Sequence, residues 1–336
     1  MARFRHSLIA AVAASALLLG ACSDASDSDS TANETATTAA ADAGTITVED
    51  NHGTQEIALP IEKVAATDNR SFEILDAWGI DLVAAPKQLV PFTVEGYKNN
   101  DDIIDLGTHR EPNLEALTAA QPDLIVNGQR FAQHYDAVAK LNPNAAIVEF
   151  EPREGEPLDA ELKRQAEELG KIFGKESEDK QLIADFDEAL ERAKAAYNPE
   201  QKVMAVNVSG GTIGYIAPKV GRTYGPVFEM VGMTPALEVA NASDDHQGDD
   251  ISVEAIASAN PDWILVLDRD GATDTRNTDE YVAASQVIEE SDPLKNVTAI
   301  QEGQVVYAPE DTYTNESIIT YTEILNGLAD AFEAAN

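Results

Sequence analysis

The sequence predicts an α/β protein of two Rossmann-like lobes with parallel-rich central sheets, joined by a long spine helix. Three observations carry this expectation. An 18-residue segment occurs twice at a spacing of 139 residues, the strand within each copy is apolar, and a long polar helical stretch lies between the copies.

The first copy, Asn113 to Arg130, reads NLEALTAAQPDLIVNGQR, and the second, Ser252 to Arg269, reads SVEAIASANPDWILVLDR. Aligned without gaps they share Glu, Ala, Ala, Pro, Asp, Ile and the terminal Arg, seven of eighteen positions. Each copy reads as a short amphipathic helix, a Pro-Asp break that cannot continue it, and an apolar strand whose last residue is Arg. A single duplication at that distance means two similar lobes and not an array of short units. The strands, Leu124 to Val126 and Trp263 to Leu267, are nearly all apolar, as strands covered on both faces of a parallel sheet must be. Open α/β sheets bind ligands beyond the carboxyl ends of their strands, where Arg130 and Arg269 fall. In a strand interior either arginine would be a buried, uncompensated charge.

Along the chain, Arg3, Arg5 and His6 precede an apolar run from Leu8 to Leu19. That run is shorter than the roughly 20 residues a membrane span needs and reads as a secretory leader. Ser23 to about Gly44 is Ser, Thr, Asp and Ala without an aromatic residue, a composition that cannot offset its ordering entropy and reads as a flexible tether. The first strand signal is Thr45 to Val48. Between the repeat copies, Leu158 to Phe173 and Ser177 to Tyr197 are helical in pattern, broken around Gly174-Lys175. Leu182, Ile183, Phe186, Leu190 and Ala193 recur on one side of the second helix, with charges opposite. The expected organisation is a leader over 1–21, a tether over 22–44, an N-terminal lobe over 45–176, an interlobe helix over 177–197 and a C-terminal lobe over 198–336.

The 336 residues include 23 Lys+Arg and 60 Asp+Glu, a formal charge of −37. A nucleic-acid partner is thereby disfavoured, because a phosphate backbone calls for a clustered positive surface. The single cysteine forbids an intramolecular disulfide and a Cys-based zinc cluster. G-x-S-x-G, P-loop and H-E-x-x-H motifs are absent, and Gly210-Gly211-Thr212-Ile213-Gly214 does not meet the dinucleotide pattern. The histidines, His6, His52, His109, His134 and His246, are scattered rather than grouped for a bare metal ion. The absent motifs lead to the expectation of no catalytic role and no intrinsic cofactor, and the chain is expected to act as a monomer.

Leu19-Gly20-Ala21-Cys22 resembles the lipobox of bacterial lipoproteins. The resemblance implies removal of residues 1–21 and lipid attachment at Cys22, placing the protein on the extracytoplasmic face of the cell membrane. Losing Arg3 and Arg5 leaves 21 cations against 60 acids, −39. Lipobox, tether, paired lobes and helical connector together resemble the substrate-binding lipoproteins of ABC importers for ferric siderophores, haem and cobalamin, which have the class III periplasmic-binding-protein fold. Phe72 to Ile80, Ala85-Pro86-Lys87, Asp105-Leu106-Gly107-Thr108, Glu111-Pro112-Asn113, Gln121 to Ile125 and Val266 to Asp270 resemble the branch that binds catecholate siderophores such as petrobactin and bacillibactin.

That resemblance implies an Fe(III)-siderophore ligand held by three arginines, matched here by Arg130, Arg222 and Arg269, with Lys87 as a further cation. A ferric tris-catecholate is a compact trianion, and guanidinium offers a permanently charged planar fork of donors to its oxygens. His246 matches a histidine that, with a tyrosine, completes the iron shell in some members. Imidazole and phenolate both suit iron. The tyrosine falls in Tyr307 to Tyr313, with Tyr313 set ahead of Tyr307. Glu115 matches the N-lobe residue that docks on permease subunits; Glu238 and Glu254 are both open as its C-lobe counterpart. A haem, cobalamin or other iron-chelate receptor of the same class, or a secreted enzyme or adhesin on this fold, is the alternative.

Overall fold

The computed structural model describes residues 44–336; the leader, Cys22 and the tether up to residue 43 lie outside the described residues. The first strand signal is realised as β1 (Thr45–Asp50), which forms an antiparallel hairpin with β2 (Gly53–Ala58).

Two sheets follow. The first is wholly parallel and comprises β3 (Val64–Ala66), β4 (Leu82–Ala85), β5 (Ile104–Asp105), β6 (Leu124–Asn127) and β7 (Ala146–Glu149), in spatial order β5-β4-β3-β6-β7. The second comprises β8 (Lys202–Ser209), β9 (Thr212–Ile216), β10 (Thr234–Pro235), β11 (Trp263–Asp268) and β12 (Val305–Tyr307). Its order is β10-β8-β11-β12, all parallel, with β9 antiparallel on β8. The paths β4-β3-β6-β7 and β10-β8-β11-β12 correspond, and the two repeat copies supply the equivalent central strands β6 and β11.

The two copies also agree in local detail. The helix Leu114–Ala120 starts at Asn113, whose side chain accepts from the Ala116 N–H; Val253–Ala259 starts at Ser252, which accepts from the Ala255 N–H. Both helices end on a left-handed residue, Gln121 (φ 52°) and Asn260 (φ 45°), and the proline follows at once. The shared aspartate then ties its strand to the neighbouring one. Asp123 Oδ2 accepts from the Lys63 N–H at 2.9 Å, and Asp262 Oδ2 from the Lys202 N–H at 2.7 Å.

One expectation needs correction, because only the second strand runs up to its arginine. β11 stops at Asp268, directly before Arg269, whereas β6 stops at Asn127 and Arg130 lies in the 3-10 helix Gln129–His134. Polar side chains close β6 early. Buried Asn127 accepts from Thr67 Oγ1 at 2.9 Å and donates to Glu149 at 2.7 Å. Gly128 packs so tightly that an added Cβ would lie 3.0 Å from Asp68.

The connector is the helix Leu158–Phe173, a break at Gly174 (φ 63°) and the helix Glu176–Ala196. The second, which serves as the spine, buries Phe186, Ala189, Leu190 and Ala193 but leaves Leu182 and Ile183 only partly covered. The C-terminal helix Ile318–Ala335 packs along it. Arg192 of the spine donates to Glu333 at 2.8 and 2.7 Å. One continuous apolar cluster runs from Leu124 and Val126 through Leu162, Ala166 and Phe186 to Val203, Trp263, Leu265 and Phe332. The opposite faces of the two sheets have cores of their own, around Ile125 and Leu117 in one and Ile264 and Val266 in the other. Alternate residues of β6 and β11 therefore enter different cores, which is why these strands are apolar throughout. Among the described residues, no helix is long and apolar enough to cross a membrane.

Candidate functional site

Beyond the carboxyl ends of both sheets lies a cavity of about 390 Å³ lined by Leu89, Thr108, His109, Arg110, Arg130, Arg222, His246, Arg269, Thr273 and Tyr313. Three of the four cations named from sequence meet here. Their guanidinium carbons lie 5.2 Å (Arg130), 4.4 Å (Arg222) and 5.1 Å (Arg269) from the centroid of a single ring, Tyr313. Tyr313 is only 5% exposed, whereas Tyr307 is 40% exposed and lines no part of the cavity. His246 is on the cavity wall. Lys87 is not in the lining. It follows the end of β4, but its ammonium is taken up by the Asn100 carbonyl at 2.8 Å.

Each arginine is aimed by a different device. Arg269 follows β11, its backbone N–H donating to Val208 of β8. Its guanidinium donates to Asp270 at 2.8 Å and to Ser209 at 3.2 Å. Arg222 precedes Thr223, a β-branched residue at φ 63°, ψ −70°. That is the geometry of a γ-turn with positive φ, closed by the Tyr224 N–H on the Arg222 carbonyl at 2.8 Å. Such strain persists only where surrounding contacts impose it. The imposing group is Glu316, 2% exposed and itself at φ 55°. It accepts from Arg222 Nη2 at 2.7 Å and Nε at 3.2 Å, and from Thr223 Oγ1 at 2.7 Å. Burial by itself would raise the Glu316 pKa, but Arg222, Arg70 and Thr223 bring it down to about 2.

Arg130 differs from the other two in having no carboxylate partner among the described residues. Burial and then the Arg222 charge pull its pKa below the ordinary arginine value, so its surroundings disfavour this cation. Its position is set one residue earlier. The Gln129 N–H donates to Glu151 at 2.7 Å and the Gln129 side chain to Glu316 at 3.2 Å. Glu151 also receives Arg70 at 2.7 Å. Behind this pair sits Asp68, fully buried, accepting from Gln165 at 2.7 Å. Burial, then Glu151, push its pKa up to about 7, with Arg70 opposing.

Sequence reasoning missed the rim. His109 and Arg110 reach the cavity because Gly107 (φ 70°) turns the chain back on itself, where a Cβ would stand 2.7 Å from the Glu111 carbonyl. The Asp105-Leu106-Gly107-Thr108 motif stops immediately before them, so the available signal lay one residue away. Burial and the neighbouring Arg130 and Arg110 charges lower the His109 pKa, leaving a neutral imidazole at pH 7. The acids Glu316 and Asp270 were also missed: Glu316 lies 94 residues from Arg222, whereas Asp270 directly follows Arg269 and was legible as its neighbour.

The His246 loop is pinned rather than packed. Its carbonyl accepts from Asn207 at 3.1 Å, and Tyr215 and Asp249 exchange backbone bonds at 2.9 and 2.8 Å. Gly214 allows this, because a Cβ there would collide with the Gln247 carbonyl. Among the described residues no group of three or more His, Cys, Asp or Glu side chains is placed to hold a metal ion. Glu115 and Glu254 occupy matching, exposed positions in the first turns of the two repeat helices. Glu238 is exposed as well, in a loop after β10.

A family profile described as periplasmic binding protein matches residues 64–312. The chain is 27% identical over 294 residues to the ferric-anguibactin-binding protein FatB of Vibrio anguillarum, covering 86% of this chain and 88% of that one. It is 29% identical over 289 residues to the petrobactin-binding protein YclQ of Bacillus subtilis, covering 84% and 86%. The siderophore-binding protein BauB, solved with a complex between two molecules of acinetobactin and ferric iron, matches with a TM-score of 0.73 at 27% identity, covering 86% of this chain and 99% of that one. The catecholate-siderophore-binding protein VctP of Vibrio cholerae shares the fold, with a TM-score of 0.71 at 24% identity over 85% of this chain and 99% of that one.

Proposed function

The chain belongs to the periplasmic binding protein family, and from that premise we propose that it captures a ferric catecholate-type siderophore between its lobes and delivers it to an ABC importer. The observation that carries the reading is the convergence of Arg130, Arg222 and Arg269, from two different sheets, around the Tyr313 ring at one cavity. A fixed cluster of planar cations over an aromatic surface suits an anionic aryl-oxygen chelate. The names of FatB, YclQ and BauB point to ligands of the same kind. Iron arrives with its own donors in this reading, and the protein supplies charge and shape. His246 and Tyr313 are the side chains that would complete the iron shell of a chelate with open positions.

Lipid attachment at Cys22 after removal of residues 1–21 is part of the proposal, supported by Leu19-Gly20-Ala21-Cys22. So are action as a monomer and docking on permease subunits through exposed Glu115, with Glu254 its counterpart by repeat symmetry. The test is intrinsic fluorescence at micromolar protein. Saturable quenching by a ferric catecholate is expected, and none with any bis- or tris-catecholate would refute the reading. His246→Ala should shift the charge-transfer band of a bound ferric bis-catecholate; an unchanged spectrum removes direct ligation by His246.

A further inference from the structure

The cavity is backed by two acids that stand behind its arginines, outside its lining. Of the four arginines in its lining, Arg222 is paired with Glu316 at 2.7 Å and Arg269 with Asp270 at 2.8 Å. Neither acid is incidental. Glu316 is buried and bonded to Arg222, Thr223 and Gln129 together. Asp270, 8% exposed, also accepts from the Gly210 N–H and so ties the end of β8 to the end of β11. Two carboxylates set against four guanidiniums leave Arg130 and Arg110 without a carboxylate partner among the described residues, and their charges help to lower the pKa of His109 beside them. A trianionic complex would therefore meet fewer free positive charges than the arginine count implies, together with two buried negative ones.

Resting on the function proposed above, we propose that Glu316, seconded by Asp270, is a specificity-determining residue that lowers this receptor's preference for trianionic ferric complexes relative to those of one or two negative charges. The physical reason is Coulombic. Each additional ligand charge interacts with a fixed buried carboxylate in a medium of effective dielectric about 20, where like charges several ångströms apart repel far more than in water. A built-in acid thus penalises a −3 complex about three times as much as a −1 complex, while leaving the arginine donors in position for both.

The experiment compares two probes, a ferric bis-catecholate of a linear tetradentate ligand (charge −1) and a ferric tris-catecholate of a hexadentate one (charge −3). Affinities for wild type, Glu316→Gln and Asp270→Asn are measured by fluorescence quenching at fixed ionic strength. The isosteric amides keep the shape of each side chain and remove its charge together with one of its two acceptor oxygens. The ratio of the two affinities should move toward the −3 complex by at least about tenfold in Glu316→Gln, and in the same direction but less in Asp270→Asn. Taking the ratio cancels differences in probe size and any general loss of affinity, and Asp270→Asn carries the test if Glu316→Gln does not fold. Binding that persists with the ratio within twofold of wild type in the folded variants overturns this proposal alone. Binding of neither probe to wild type overturns the proposed function, and this inference with it.

Discussion

Replacing Arg130 and replacing Arg222 should have opposite signatures, although both are cleft arginines beside Tyr313. Arg130 has no carboxylate partner among the described residues, and its charge is disfavoured by burial and by Arg222. Arg130→Gln should therefore leave folding stability unchanged or slightly raised while removing charge-assisted hydrogen bonds to the ligand. Such bonds contribute about 1.5–3 kcal/mol, so affinity for a ferric catecholate should fall about 10- to 150-fold. Arg222→Gln strands Glu316, which keeps Thr223 and an Arg70 guanidinium 3.9 Å away. Breaking one side of a buried ion pair costs about 3–5 kcal/mol, and the remaining Arg70 contact sets the expectation at the lower end, about 3 kcal/mol. The paired assay is urea unfolding followed by far-ultraviolet circular dichroism, with fluorescence titration of a ferric bis-catecholate. An Arg130→Gln protein that is clearly destabilised yet binds like wild type would refute the reasoning, as would an Arg222→Gln protein of wild-type stability.

Asp68 should make stability fall as pH rises. Its folded pKa is raised to about 7 from the ordinary carboxylate value, so its contribution is fully present below about pH 4 and lost as pH passes through 7. Asp68→Asn should abolish that slope in urea unfolding between pH 5 and 8, because the amide has no titratable proton, and the Gln165 amide can turn so that its Oε1 accepts from it; a slope identical to wild type assigns the titration elsewhere. Gly214→Ala should push the Gln247 backbone outward and carry His246 away from the cavity, costing about 1–3 kcal/mol from overpacking and weakening ligand binding; a crystal structure with the loop unmoved would contradict this. Ligand binding should change the separation of the lobes little, since one apolar cluster joins both sheets through the spine. Small-angle scattering with and without a ferric catecholate checks it, and a large drop in radius of gyration would count against the architecture.

Much of the fold is written locally. The duplicated helix-break-strand unit is legible because its residues act at short range. Asn113 and Ser252 cap, the prolines stop the helices, Asp123 and Asp262 bond the next strand, and apolar runs fill two cores. The break at Gly174 is legible for the same reason, a left-handed residue between two periodic helices. The placement of Arg130 and Arg269 beyond strand ends follows from topology, so the repeat was enough to find them, and Arg222 came with family resemblance.

What no stretch of sequence could decide is which charges meet. Glu316 lies 94 residues from Arg222 and 187 from Gln129, and nothing in its surroundings distinguishes it from the other members of a set of 60 acids. Lys87 looked like a ligand cation until packing gave its ammonium to Asn100. Tyr313 and Tyr307 were nearly equivalent as letters, and only the folding of residues 311–317 under the cleft buried one beneath three arginines and left the other in solvent. Propensity, capping and burial patterns act over a few residues and are readable in order. Electrostatic pairing acts through space at a few ångströms, so the balance of charge around this cavity is decided only when the two sheets are set against each other.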